Sequence, residues 1–252
     1  MYGGIVWGII REKAYFDMKN SRLVALAIFA ALLTGVAAEL YAAPSNGTRF
    51  PPKYEVELGY EYDMMFDRPM NRSYGHLRSQ NNFYTVSFGA FDWLALDGKI
   101  GIGDVTQYGA GSLPKLEYNT GFSGGYGFRV RVFEYKPFSL RAIAGFQHIS
   151  VHPQDRSAGN DKYESFLDDW QVSGLAAKDF KHLTLYAGIK GSDCEIVYKV
   201  NKQNKRRRYS EYHIGLVTGA EIYLFKDKAR VGLEGRFFDE TALSASVSYL
   251  FD

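Results

Sequence analysis

The stretch Leu243-Ser244-Ala245-Ser246-Val247-Ser248-Tyr249-Leu250-Phe251, one residue short of the C-terminus, alternates apolar and small polar side chains and closes on an aromatic. Side chains of a β-strand repeat with a period of two, so the segment offers one apolar face and one polar face. In a soluble sandwich the polar face would meet water; in a membrane barrel it would line the lumen. Ser244, Ser246 and Ser248 are lumen-facing in the second case. The rest of the chain decides between the two.

From Pro51 onward the alternation recurs nine more times. Tyr54, Val56, Leu58, Tyr60 and Tyr62 oppose Glu55, Glu57, Gly59, Glu61 and Asp63. Later stretches set Tyr84 to Ala90 against Thr85, Ser87 and Gly89, Leu94 to Ile102 against Asp97 and Lys99, and Tyr126 to Val132 against Arg129 and Arg131. A fifth places Leu140 to Phe146 opposite Arg141 and Gln147, with Ile143 out of pattern. The sixth, Trp170 to Ala177, is blurred by Gly174 and Leu175. Leu183 to Ile189 against Lys190, Ile214 to Leu224 against Glu221, and Val231 to Phe237 against Arg230, Glu234 and Arg236 complete the series with the terminal stretch. The pattern predicts an all-β, antiparallel up-and-down transmembrane β-barrel of about ten strands, with eight as the alternative.

The connections alternate in kind. Phe91-Asp92-Trp93, Phe133 to Pro137, Lys178 to Lys181 and Phe225 to Lys228 are tight and aromatic. Longer polar segments are expected as loops at 66–81, 105–117, 150–165 and 191–210, with a short one at 238–241. Tight turns at one rim and long loops at the other are the habit of outer-membrane barrels.

Ahead of the strands, Leu23 to Ala38 is the longest apolar run, broken by Thr34 and Gly35 and shorter than the ~20 residues of a spanning helix. With the basic Met18 to Arg22 before it and Val36-Ala37-Ala38 as a cleavage site, it predicts a signal peptide over 18–38, with Ala42 and Ala43 as later cleavage candidates. Residues 1–17 do not fit a signal and read as a start codon placed too early, or else as a genuine extension. Residues 39–50 are expected to be a short periplasmic linker, and 51–252 the barrel. Loss of 1–38 removes Arg11, Lys13, Lys19, Arg22, Glu12 and Asp17, which leaves 26 charges of each sign from the 30 basic and 28 acidic residues of the whole chain. Such neutrality argues against nucleic-acid binding. A single cysteine, Cys194, fits an exported chain that folds without a disulfide.

On these residues and spacings the chain resembles the small outer-membrane β-barrel proteins of Gram-negative bacteria, of the OmpA-like and opacity type, over 51–252. The resemblance implies location in the bacterial outer membrane, contact with outer-membrane lipid and lipopolysaccharide, and recognition of Leu243 to Phe251 by the barrel insertion machinery. Members usually end on the aromatic itself, whereas Asp252 follows here.

The predicted inward face carries Glu55, Glu57, Glu61, Asp63, Asp97, Glu221 and Glu234 against Lys99, Arg129, Arg131, Arg141, Lys190, Arg230 and Arg236. Balanced charge in a barrel barely wider than the filled eight-stranded kind implies an interior plugged by ion pairs. A narrow passive porin is the alternative. Lys199, Lys202, Lys205, Arg206, Arg207 and Arg208 form a basic run in the longest outer loop, expected either as a solvated tip or as a contact for lipopolysaccharide phosphates. The preceding loop is acidic, with Asp155, Asp161, Glu164, Asp168 and Asp169, and the two are also candidates to pair with each other.

His148 and Ser150 share the lipid-facing side of the fifth stretch, near those carboxylates. The segment Phe146-Gln147-His148-Ile149-Ser150 is similar to the His-x-Ser motif of outer-membrane lipid A deacylases, which implies a Ser nucleophile with a His base. Val151 stands where that family carries its oxyanion Asn, so the expectation is a barrel without catalytic role. No metal or cofactor is expected: His148 and His152 lie ~13 Å apart along an extended strand.

Overall fold

A computed structural model describes residues 47–71, 75–109, 115–158 and 161–251. Among the described residues twelve antiparallel strands form one sheet: β1 (Val56–Met70), β2 (Gly75–Phe91), β3 (Leu94–Tyr108), β4 (Leu116–Tyr135), β5 (Leu140–Gln154), β6 (Arg156–Ala158), β7 (Asp161–Asp179), β8 (Leu183–Val200), β9 (Gln203–Tyr209), β10 (Ile214–Leu224), β11 (Ala229–Phe237) and β12 (Thr241–Phe251). Ten of them close a ring. β1 pairs with β2 on one side and β12 on the other, β5 pairs with β7, β7 with β8, and β8 with β10. The short β6 extends β5 along β7, and β9 folds back on β8 ahead of β10.

The strands run much farther than the expected loops allowed. The described parts of segments 66–81, 105–117, 150–165 and 191–210 are largely strand, and β4, β7 and β8 have 20, 19 and 18 residues. A bilayer needs only ~9–11 residues per tilted strand. The wall therefore rises well past hydrocarbon on that side, whereas β10, β11 and β12 have 11, 9 and 11 residues. Polar composition had marked these segments as loops, but side chains outside hydrocarbon can be polar on both faces of a strand.

That difference in height changes the strand number along the axis. Above the tip of the β11–β12 hairpin, β1 meets the segment that follows β9: Met70 bridges Ser210, the Glu211 N–H donates to Pro69 O at 2.9 Å, and the Asn71 N–H donates to Tyr209 O at 3.0 Å. The ring thus has ten strands at the tight-turn end and narrows to eight at the other.

Apolar side chains point outward: Ile100, Ile189, Ile214 and Tyr84 are 60%, 63%, 74% and 70% exposed. In the ten-stranded tier Glu57, Glu61, Asp97, Lys99, Arg129 and Glu221 point inward and are buried. The upper tier is filled instead by an apolar core of Met65, Met70, Leu77, Phe83, Val105, Leu116, Val151, Leu167, Cys194 and Ile196 with neighbours. An eight-stranded interior is just wide enough for side chains to fill it, so the taper and the core belong together.

Ile143 and Leu175, which broke the expected alternation, are buried in the lumen, where Phe50, Ala95, Ala177, Tyr186 and Val217 surround them. The described part of the stretch expected as a linker, residues 47–50, is buried in the same place. It crosses the tight-turn mouth of the barrel as a strap.

Two substitutions distinguish the faces. Ile100→Arg, on the outer surface at mid-wall, is expected to lower folding stability in lipid vesicles by about 2–4 kcal/mol, and Phe83→Ala, in the upper core, by about 3–5 kcal/mol, both by denaturant titration.

Candidate functional site

Inside the ten-stranded tier, charges meet in pairs and nets. Arg129 on β4 grips Asp97 on β3 through two bonds of 2.8 Å. Lys99 Nζ lies 2.6 Å from Glu61. Arg230 joins Glu57 at 3.0 Å to Glu221 at 2.7 Å, and Ser248 donates to Glu57. Arg236 reaches Asp63 at 2.6 Å, with Ser244 bridging the two. Tyr186 on β8 reaches across β10 to donate to Glu234 on β11 at 3.0 Å. It lies where a Cβ on Gly219 would sit, 2.3 Å from the phenol ring and hydroxyl, so that glycine opens its path. Arg141 binds Asp179 near the mouth. The expected lumen set is thus assembled, apart from two residues at the rim. Glu55 precedes β1 and is half-buried, and Arg131 pairs with Glu134 at 3.1 Å while its guanidinium covers the Phe50 ring.

A second net at the junction of the two tiers joins the expected Lys190 and Arg236 to residues that the periodicity missed. Arg68, fully buried, reaches Asp169 at 3.1 Å, Glu240 at 3.3 Å and Ser192 at 2.7 Å. Lys190 bonds Asp239 at 2.9 Å and also Glu240, which Arg236 meets at 2.7 Å. Asp239 and Glu240 come from the β11–β12 turn, which bends inward beneath the seam of β1 and β9. Asp169 was expected in an acidic loop with Asp168. The two are neighbours on β7 with opposite faces: Asp169 enters this net, and Asp168 points outward.

Asp168 faces Ser150 directly across the β5–β7 pair. Ser150 Oγ lies 2.5 Å from Asp168 Oδ1 and 2.9 Å from His152 Nε2, and His148 Nε2 is 3.5 Å from the same carboxylate oxygen. The His148 ring lies tilted against Trp170 at 4.1 Å, and His152 stacks on Phe166 at 5.7 Å. The order is carboxylate, hydroxyl, imidazole. A hydrolase needs the imidazole in the middle, taking the hydroxyl proton while the carboxylate orients it. Here the single hydroxyl proton of Ser150 goes to Asp168, so Ser150 Oγ can meet His152 only as an acceptor from the tautomer with its hydrogen on Nε2. Ten residues beyond Leu140, Ser150 stands ~25 Å up a strand tilted ~40°, at the upper edge of the apolar band.

The basic run is a hairpin rather than an open loop. Tyr198 opposes Arg206 and Val197 opposes Arg207. Lys202, Lys205, Arg206 and Arg207 are exposed, Arg208 is half-buried, Arg207 pairs with Glu195 at 3.0 Å, and Lys205 lies over the Phe166 ring at 5.9 Å. The β7 and β8 segments do pair, with Glu164 opposite Lys199 and Asn201 donating to Asp161 at 2.7 Å.

A closed ring with an apolar exterior and a charged, filled interior satisfies every strand bond within hydrocarbon. The chain is an outer-membrane β-barrel. No protein-family model matches its sequence, and no curated protein matches it. Among solved structures, the barrel is similar to the outer-membrane protease OmpT of Escherichia coli, at a TM-score of 0.39 and 10% identity over 82% of this chain and 99% of that one. It is similar also to the Ail protein of Yersinia pestis, at 0.40 and 8% over 78% and 97%. The translocator domain of the autotransporter NalP of Neisseria meningitidis scores 0.42 at 12% identity over 96% and 97%. The assignment of this barrel rests on its own two faces.

Lys99→Met should lower stability by about 3–5 kcal/mol by stranding Glu61, and the double variant Glu61→Leu with Lys99→Met should recover most of the loss, in a double-mutant cycle of denaturant midpoints.

Proposed function

We propose that the barrel is a sealed structural and surface-contact element of the outer membrane, without a catalytic role, whose contacts are made by its outer rim. The observation that carries this is the filled lumen. An apolar core stands above the ion-pair nets and the strap lies below them, and the cavity lined by Glu57, Glu61, Asp97, Arg129 and Glu221 between them has about 30 Å³, space for about two waters. A filled lumen favours this role over a passive porin. At the rim, the exposed cations of the β8–β9 hairpin suit the phosphates of lipopolysaccharide, for which clustered guanidinium groups give charge-assisted contacts. The outward Leu243, Val247, Tyr249 and Phe251 of β12 fit the assembly signal expected of the terminal stretch. The hydroxyl-centred order of Asp168, Ser150 and His152 supports the absence of lipid hydrolysis.

Reconstituted in planar bilayers, the barrel is expected to give no stable single-channel openings; steady conductance would end the sealed-barrel proposal. Vesicles containing lipopolysaccharide should bind the protein in a salt-sensitive manner, and the combined variant Lys202→Gln, Lys205→Gln, Arg206→Gln should weaken that binding several-fold. Lipid A incubated with the protein should keep its acyl chains by mass spectrometry, and acyl loss that disappears in Ser150→Ala would overturn the non-catalytic assignment.

A further inference from the structure

The strap Gly47-Thr48-Arg49-Phe50 is held in the way a receptor holds a peptide. Glu221 accepts from both the Thr48 N–H at 2.9 Å and the Thr48 hydroxyl at 2.5 Å. Arg141 donates to Thr48 O at 2.7 Å, and Arg129 donates to Arg49 O at 2.6 Å and Gly47 O at 3.3 Å. The Arg49 side chain pairs with Glu57 at 3.2 Å. Phe50 fills an apolar recess with Ala95, Ile143, Leu175 and Ala177, and two guanidinium groups, Arg129 and Arg131, cover its ring at 5.5 and 4.9 Å. Gly47 has a φ of +73°, and a Cβ there would fall 2.0 Å from Glu221 Oε1 and 2.3 Å from Arg230 Nη1.

Four consecutive residues are therefore each selected by something different: no side chain at the first, a hydroxyl at the second, a cation at the third and an aromatic ring at the fourth. The charged groups that meet the backbone are anchored to the wall by their own pairs, Arg129 by Asp97, Arg141 by Asp179 and Glu221 by Arg230. Each therefore keeps a partner on the wall besides the strap. Ile143 and Leu175, which broke the expected alternation, line the recess for the ring.

We propose that the periplasmic mouth of the barrel is a peptide-binding site, occupied in cis by residues 47–50, that accepts in trans an extended peptide with glycine, a hydroxyl residue, a cation and an aromatic in that order. The site is a dead-end pocket, since the upper core closes the lumen above it, so it concerns binding from the periplasm and is independent of the proposed contacts of the outer rim. Charge-assisted hydrogen bonds to the peptide backbone supply affinity, and the ring recess and the glycine contact supply selectivity. Because the strap continues directly into Pro51 and the wall, its effective concentration is on the order of millimolar, and it excludes free peptide from the intact protein.

The test uses the full chain folded in lipid vesicles and the probe peptide acetyl-Gly-Thr-Arg-Phe-Pro-Pro carrying a fluorophore at its C-terminal end, with binding followed by anisotropy. Phe50→Ala and Gly47→Ala each displace the strap while leaving Glu221, Arg129 and Arg141 in place, and a shift between unheated and boiled samples on a gel verifies folding. Both variants should bind the probe saturably, and the unmodified protein should not. Binding should fall at least about tenfold when the probe's Phe is replaced by Ala, or when Glu221→Gln is added to either variant. Equal binding of a probe with the four residues in reverse order would overturn the proposal, as would absence of binding by a folded variant. Failure of both variants to fold would make the strap part of the barrel's own core and would overturn it equally.

Discussion

In hydrocarbon no water is available to a backbone N–H or C=O, and an unpaired group costs several kcal/mol. A sheet in that medium must close on itself. Everything else in this barrel follows from closure. The outer face is left apolar because lipid is its solvent, and a lumen is created that must be filled or wetted. Filling it with charges is tolerable only when each is paired, because a stranded ion in such an interior costs more than the pair contributes. The nets around Arg129, Arg230 and Arg236 meet that requirement with bonds between strands far apart in sequence, such as Arg236 to Asp63.

The change from ten strands to eight is the second consequence. A hairpin of short strands, β11 and β12, is wedged between β1 and β10, and its turn would leave a gap in the wall if the neighbours did not meet above it. They meet at Met70 and Ser210. The turn bends its carboxylates, Asp239 and Glu240, into the lumen beneath that seam, where Arg68, Lys190 and Arg236 converge. One ion-pair net thus ties the hairpin tip, the seam and the base of the apolar core together. Below it the wider tier needs a filler of its own, and the strap of residues 47–50 takes that place.

Much of this was legible from period two alone. The first stretch, with Glu57, Glu61 and Asp63 opposite Leu58, Tyr60 and Tyr62, and the last, with its serines opposite Leu243, Val247 and Tyr249, have the orientation expected of them. Arg68 was not legible, because β1 carries a bulge between Met65 and Asp67 that reverses the alternation. Odd-numbered residues face inward as far as Met65, and Arg68 and Met70 face inward beyond it. A similar irregularity between Asn119 and Phe122 turns Leu116 and Tyr118 inward on β4. The polar upper strands looked like loops because alternation fades once neither face meets lipid.

Sequence by itself determined the fold class, the number of strands in the ring, which face of most strands meets lipid, and the balance of charge within. These are local properties: a strand's two faces are written in adjacent residues. Tertiary structure alone decided the partners of each charge, the taper from ten strands to eight, and the hydroxyl-centred order of Asp168, Ser150 and His152. It also decided the placement of Gly47 to Phe50 across the mouth. Each of these depends on register, bulges and the meeting of segments up to 190 or so positions apart, as with Glu57 and Ser248, and no period in the sequence records which strands become neighbours when the ring closes.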